Sequence, residues 1–155
     1  MARGTFESYT VKFLTTIASA TLAPTVAEYT AGVALTSVTP IDGLNFNPTQ
    51  NNASQAMLGD AFVQEQPGTW GLGLTLTFVR DDTTDTAVTT FPYKTAGYIV
   101  NQPFGVTVAA GVKVDVYKVT SHNPVPLASA ENEFQKWQVM FGVTETPEFN
   151  IAVLA

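Results

Sequence analysis

The chain has 155 residues, about the length of a single domain. Hydrophobic residues make up 45% and charged residues 13% of it, about half the charged fraction that is usual in soluble domains. Seven scattered Lys and Arg against thirteen Asp and Glu give a net charge of −6, which excludes tight nucleic-acid binding; the lack of Cys excludes disulfides and thiolate metal sites. No apolar run is long enough to span a bilayer, and no repeat or linker divides residues 1–155, so we expect one domain.

The first third of the chain predicts two strands around a short helical segment. A strand is expected at residues 9–17, where apolar side chains alternate. Residues 24–32 begin with a Pro that can open a helix and end with a Gly that can stop one, so they predict one or two helical turns. A second strand is expected over residues 35–46, interrupted at Pro40.

Residues 51–68 form a long, partly apolar connection, which we expect to be a loop. Connections of this length are uncommon in small domains unless they pack on something. We therefore interpret it as an assembly element, with Met57, Leu58, Phe62 and Val63 as apolar anchors for a neighbouring copy. The alternative is a loop that folds over the core of its own chain.

Residues 70–80 give the clearest strand signal in the chain. Apolar side chains alternate there with Gly and Thr, which is typical of a strand that is buried on one face. The acidic residues that follow are expected to cap a short helix at residues 86–90.

The last third predicts further strands, with a loop at residues 122–130 that contains two prolines. Together, these elements predict a mainly β fold, a sandwich or barrel with one short flanking helix and long assembly loops. The strands expected here are at residues 97–101, 112–119 and 134–145, with an edge strand at 151–154.

The side chains that catalysis or metal binding would need are almost absent. His122 is the single histidine, and it lies in a Ser-His-Asn-Pro loop without a carboxylate nearby in sequence, so we interpret it as a solvated loop residue. Asp81, Asp82 and Asp85 offer oxygen ligands, but their spacing lacks the Gly turn and distal Glu of a calcium loop. We interpret these three residues as part of a turn that caps the following helix. For the whole chain, we expect a protein that is not an enzyme and that binds no metal and no cofactor.

Aromatic side chains are spread over the predicted strands, which favours core positions. Trp70, at the beginning of a strand, leaves one alternative open. A β-sandwich module that binds carbohydrate or a cell surface would be a monomer with Trp70 or Tyr98 exposed.

A series of short stretches, in order along most of the chain, resembles a known family. The stretches are Pro-Thr-Val-Ala-Glu from Pro24, Ala31-Gly32, Asp-Gly-Leu-Asn-Phe from Asp42, Gln66-Pro67-Gly68, Leu-Thr-Phe-Val-Arg-Asp-Asp from Leu76, Gly-Tyr-Ile-Val from Gly97, Ala-Gly-Val-Lys-Val-Asp-Val-Tyr from Ala110 and Val-Met-Phe-Gly-Val-Thr from Val139. The series is similar to the major tail tube proteins of long-tailed bacteriophages, particularly those that infect actinobacteria.

The resemblance implies a virion protein without catalytic residues. Six copies would form a ring, and stacked rings would form the tube through which the genome leaves; double-stranded DNA would pass without specific binding. Assembly would take place in the host cytoplasm, with other tail proteins at the tube ends, and the N-terminal segment and residues 51–68 would be assembly elements. Polar side chains on the long strands would suit a wet lumen, and the candidates are Thr75, Thr77, Lys113, Asp115, Lys136 and Gln138.

One further alternative has a related fold. The inner tube of a contractile injection system would use the same kind of subunit, and only a surrounding sheath would distinguish the two.

Overall fold

The structure is a computed structural model that describes residues 9–59, 61–83 and 85–155. The described residues form nine strands and two short helices, which confirms a mainly β fold. In chain order the elements are β1 (Thr10–Leu14), α1 (Val26–Ala31), β2 (Val33–Ala34), β3 (Leu44–Ala56), β4 (Val63–Val79), α2 (Thr86–Thr90), β5 (Ala96–Gln102), β6 (Lys113–Ser121), β7 (Val125–Leu127), β8 (Lys136–Val143) and β9 (Glu148–Ala152).

All the strands belong to one antiparallel sheet, in the order β2-β1-β5-β6-β8-β4-β3, with β9 paired to β6 and β7 paired to β8. Strands β1 and β4 are far apart in this order, yet their side chains pack in one core cluster. The sheet therefore curls on itself. Residues 35–43 bridge the two sides of the curl: the amide of Leu35 donates to the carbonyl of Val11, and the amide of Val79 donates to the carbonyl of Val38.

Two apolar clusters lie on opposite faces of the sheet. The enclosed cluster is centred on Phe91, whose ring lies 4.9 Å from that of Phe13 and 5.0 Å from that of Phe141, both edge-on. The outer cluster packs the other face of β1, β5 and β6 under Leu22 and Tyr29. Burial on both faces explains the nearly continuous apolar character of β5.

Helix α1 lies within the predicted segment 24–32 but begins at Val26, after Thr25 as its N-cap. Thr25 and Glu28 form a capping box: the Thr25 side chain accepts from the Glu28 amide at 3.1 Å, and the Glu28 carboxylate accepts from the Thr25 amide at 2.9 Å. The second carboxylate oxygen of Glu28 accepts from the Ala18 amide at 3.0 Å, so the same residue anchors the preceding segment.

Three predictions from the sequence were wrong. Residues 35–43 are turns, and the strand expected over 35–46 begins only at Leu44. The expected loop at 122–130 contains β7, which pairs with β8. The expected loop at 51–68 is instead the outer part of a long β-hairpin formed by β3 and β4.

Candidate assembly surfaces

The hairpin of β3 and β4 extends beyond the core, and we call its outer part, residues 47–71, the arm. Every described residue of the arm is exposed, on both faces of the ribbon. A two-stranded ribbon of this kind is marginally stable by itself, because it has no packed face. The arm is therefore a segment for which contact with a partner would add stability.

The stem of the arm is polar but almost uncharged. Amide and hydroxyl side chains face each other across the ribbon, as in the pair Gln55–Gln64 and in the 3.3 Å hydrogen bond that the Asn51 amide donates to the Thr69 hydroxyl, while Glu65 lies opposite Ser54. Between residues 50 and 52 the register shifts, and this irregularity lies beside Pro67, which cannot donate a ladder hydrogen bond. The outer edge of β3 has no strand partner among the described residues and carries no Lys or other charge to prevent pairing.

The four predicted anchors meet at the tip of the arm. Met57 and Leu58 follow β3, while Phe62 and Val63 lead into β4. Their exposed fractions run from 49% at Val63 to full exposure at Leu58. The structure thus brings all four together, at the point of the chain farthest along the hairpin from the core.

Four of the six lumen candidates share one face of the sheet. Thr77 lies directly opposite Gln138 in the β4–β8 ladder, and Thr75 and Lys136 are each two residues along their strands from this pair. This face is the reverse of the one that carries the enclosed core. Thr75 is buried, whereas the other three are partly exposed.

Lys113 and Asp115 lie on the other face of the sheet, since they alternate with the outer-cluster residues Val114 and Val116. Asp115 is also engaged locally: its carboxylate accepts from the Asn150 amide at 2.9 Å. These two candidates are therefore not brought together with the other four.

Two pKa shifts mark the β6 strand. Burial raises the pKa of the Tyr117 hydroxyl well above its ordinary value, and the nearby Asp115 carboxylate and Tyr9 add to the effect. The hydrogen bond to Glu145, 2.8 Å long, raises the pKa of Lys118. Both groups keep their protons through the neutral range.

The end of β4 opposite the arm carries an arrangement that sequence reasoning missed. The indole of Trp137 donates to one carboxylate oxygen of Asp85 at 2.6 Å, and the Arg80 guanidinium lies 4.4 Å from the centre of the Trp137 ring. The other Asp85 oxygen is buried and has no donor among the described residues. Trp137 and Asp85 are 52 residues apart in sequence, so no local sequence pattern indicated that they are in contact.

The predicted capping role of the acidic turn is wrong for Asp85. It occupies the N-cap position of α2, but its side chain makes no cap hydrogen bond because it is turned toward Trp137. Asp81 accepts instead from the amide and hydroxyl of Thr83, at 2.9 and 2.7 Å, which closes its own turn.

Comparison with protein families shows to which family the chain belongs. The family described as phage tail tube protein matches residues 3–155. The chain belongs to the phage tail tube protein family. A comparison with individually curated proteins gives no significant match.

Membership makes this tail tube protein a structural component of the virion tail, and not an enzyme. The described residues contain no group of three or more His, Asp or Glu placed to hold a metal ion. Within the same ranges, no helix is long and apolar enough to cross a membrane.

The binding-module alternative required Trp70 or Tyr98 to be exposed. Trp70 is half-exposed at the base of the arm and lines a shallow groove with Phe149. Tyr98 packs against the outer cluster and is partly buried. The exposure of Trp70 alone therefore meets that requirement, and it is the family match that assigns the chain to the tail tube proteins.

Proposed function

We propose that this protein assembles into hexameric rings that stack into the tail tube and conduct the phage genome during ejection. The observation that carries the proposal is the arm, a long hairpin exposed on both faces with four apolar side chains at its tip. A monomer has no evident use for such a segment, because the arm adds nothing to the core. A subunit that contacts a neighbouring ring would use the arm for that contact.

The sheet offers a route to ring closure. Strands β7, β8, β4 and β3 lie side by side, and the outer edge of β3 carries unpaired backbone groups along its length. Exposed strand edges pair readily with another chain through main-chain hydrogen bonds. Pairing of the β3 edge with the sheet of the next copy would join the sheets around a channel.

The shared face of β4 and β8 suits a channel for DNA. Its candidate lumen residues Thr75, Thr77, Lys136 and Gln138 include one cation and no carboxylate. The chain as a whole carries a net charge of −6, so its field repels phosphates and disfavours retention of the cargo. The other tail proteins would contact the two ends of the tube, after assembly in the host cytoplasm.

Negative-stain electron microscopy of the purified protein at rising concentration tests the proposal, with mass by light scattering in parallel. We expect rings with six subunits and hollow tubes built from them. Rings with another subunit number would overturn the hexamer. A monomer at every concentration, with or without a preformed tail-tip complex as initiator, would overturn the tube.

A further inference from the structure

The groove at the base of the arm lies on one defined face of the β3–β4 ribbon. Trp70 lines it and stands directly opposite Gln50 in the ladder, so these two side chains share a face. Trp70 and Leu74 are four residues apart on one strand, and Leu74 packs in the enclosed core. Trp70 therefore points away from the face of Thr75 and Thr77, which are candidate lumen residues.

The second aromatic side chain of the groove is Phe149 of β9, which the core holds in place. The Phe149 ring lies edge-on at 5.9 Å from the ring of Tyr117, and that ring lies 5.4 Å from the ring of Phe46. The next residue, Asn150, has a φ of 53°, and its amide donates to the Asp115 carboxylate at 2.9 Å. These contacts position Phe149 before any ligand binds, and a preformed wall lowers the cost of binding.

The depression itself follows from irregular pairing in the ribbon. Two residues of β4, Gly68 and Thr69, stand opposite the single residue Asn51 of β3, which is the pattern of a β-bulge. Gly fits at this position because a Cβ on Gly68 would approach the carbonyl oxygen of Asn51 to 2.9 Å. A bulge bends its strand and redirects the side chains beside it, so the local sequence shapes the groove next to Trp70.

The rest of the lining is polar and uncharged. Eight residues line the groove, and none of them is Lys, Arg, Asp or Glu. The Asn51 amide donates to the Thr69 hydroxyl at 3.3 Å, which leaves the Asn51 side-chain oxygen as an acceptor. The side-chain amides of Gln50 and Asn52 and the indole N–H of Trp70 have no hydrogen-bond partner within the described part of the chain. The groove thus offers neutral donors and acceptors beside two aromatic rings.

We propose that this groove binds a neutral saccharide. A sugar ring has apolar C–H faces that pack on aromatic rings, and Trp70 and Phe149 are 47% and 49% exposed. Its hydroxyls both donate and accept, and so do side-chain amides such as those of Gln50, Asn51 and Asn52. A lining without charge favours a neutral sugar over a uronic acid, whose carboxylate would lose water without gaining a cation.

The lining disfavours a nucleic acid or a protein as the occupant. A nucleobase would stack on the same rings, but its phosphate would meet no Lys or Arg in the groove, and the net charge of the chain is −6. A stable protein interface uses about 20 to 30 residues on each side. The eight lining residues and the volume of about 430 Å³ correspond instead to a small-molecule site.

Saccharide binding goes beyond the proposed function and does not require assembly. In the proposed tube, Trp70 would point away from the channel, because it and the candidate lumen residues lie on opposite faces. The groove would recur once per subunit, so weak individual sites would reinforce one another on a polysaccharide chain.

Isothermal titration calorimetry on the natural protein tests the site. The probes are hexasaccharides of glucose, galactose and mannose, with hexagalacturonate as the charged control. Each is supplied up to about 10 mM, which fills about nine-tenths of a site whose Kd is about 1 mM. We expect saturable binding of at least one neutral hexasaccharide and no binding of hexagalacturonate.

Substitutions locate the binding. Trp70→Ala and Phe149→Ala should each raise the Kd about tenfold, because each removes one of the two aromatic surfaces. Tyr93→Ala is the matched control, since it removes an aromatic side chain that is 60% exposed outside the groove, and it should leave the Kd unchanged. Thermal unfolding checks that each variant is folded. Trp70→Tyr keeps an aromatic surface and should retain most of the affinity, which keeps the test open if Trp70→Ala does not fold.

The outcomes separate this inference from the tube. Absence of binding to all three neutral probes overturns it, and so does equal binding of hexagalacturonate. Binding that survives both Trp70→Ala and Phe149→Ala overturns the groove as the site. A groove that a second copy closes would appear as poor assembly of Trp70→Ala without saccharide binding by the natural protein, which also overturns the inference. None of these results bears on the proposed tube, which electron microscopy of the unaltered protein tests separately.

Discussion

The substitution Phe62→Asp should prevent stacking while leaving the subunit folded. Phe62 is 77% exposed at the arm tip, so its loss should change the free energy of unfolding by no more than about 0.5 kcal/mol. An aromatic side chain buries about 200 Å², and with three quarters of it accessible in the free subunit, docking can remove about 150 Å² from water. At about 25 cal/mol per Å² this is worth about 4 kcal/mol when burial is complete and about 2 kcal/mol when it is half complete.

Those free energies translate into a measurable change in assembly. Since about 1.4 kcal/mol corresponds to a tenfold change in association constant, the critical concentration for tube formation should rise about 30- to 1000-fold. The concentration is measured as the protein left in the supernatant after tubes are pelleted, and thermal unfolding of the subunit provides the check on folding. Val106→Asp is the matched control, because it places the same charge on a half-exposed apolar residue outside the arm. A critical concentration for Phe62→Asp equal to that of the natural protein would refute the reasoning.

Three further substitutions test the fold, each by chemical denaturation. Gly97→Ala places a Cβ in steric overlap with ring atoms of Phe13, and we expect a loss of about 1–3 kcal/mol from overpacking; an unchanged midpoint would show that the ring can move aside. Thr25→Ala removes the side-chain half of the capping box and should cost about 1 kcal/mol, a loss that the conservative Thr25→Ser should largely restore. Burial, with a smaller contribution from Asp115, raises the pKa of Tyr117, so above about pH 10 the unfolded chain releases this proton while the folded chain keeps it, and stability falls as pH rises. Tyr117→Phe should therefore lose less stability than the natural protein between neutral and strongly alkaline pH, and equal losses would contradict the assignment.

The strands that bury one face were predictable from the sequence, whereas the arm was not. Residues 70–80 alternate because Leu74, Leu76 and Phe78 must enter the core while their neighbours do not. In the arm both faces are exposed, so no such constraint imposes a period of two. Asn, Gln, Pro and Gly then fill the ribbon at 51–68, and their low strand propensity predicted a loop.

The anchors and the arrangement around Trp137 differ in a similar way. Phe62 and its neighbours stood out because large apolar side chains lay in a segment without a core pattern. The arrangement around Trp137 depends on contacts between distant parts of the chain, above all the hydrogen bond from Trp137 to Asp85. Trp137 had the position of an ordinary strand residue and Asp85 that of an ordinary cap, and only the packing of α2 against β8 joins them.

The composition of the arm limits unwanted pairing between copies and would still permit the proposed assembly. A long strand edge without charges is a template for unwanted pairing, yet Lys or Glu along β3 would also block the intended neighbour. Here the large apolar side chains of the arm are Trp70 at its base and the four at its tip, the stem between them is mostly uncharged, and the net charge of −6 provides repulsion between free copies. Because a two-stranded ribbon is marginally stable alone, order in the arm and contact with a neighbour stabilise each other. In the proposed assembly, a copy that joins a ring would gain contacts along its strand edge and at its arm tip together, whereas two free copies would gain one of these at a time, so growth of a tube would be favoured over random association.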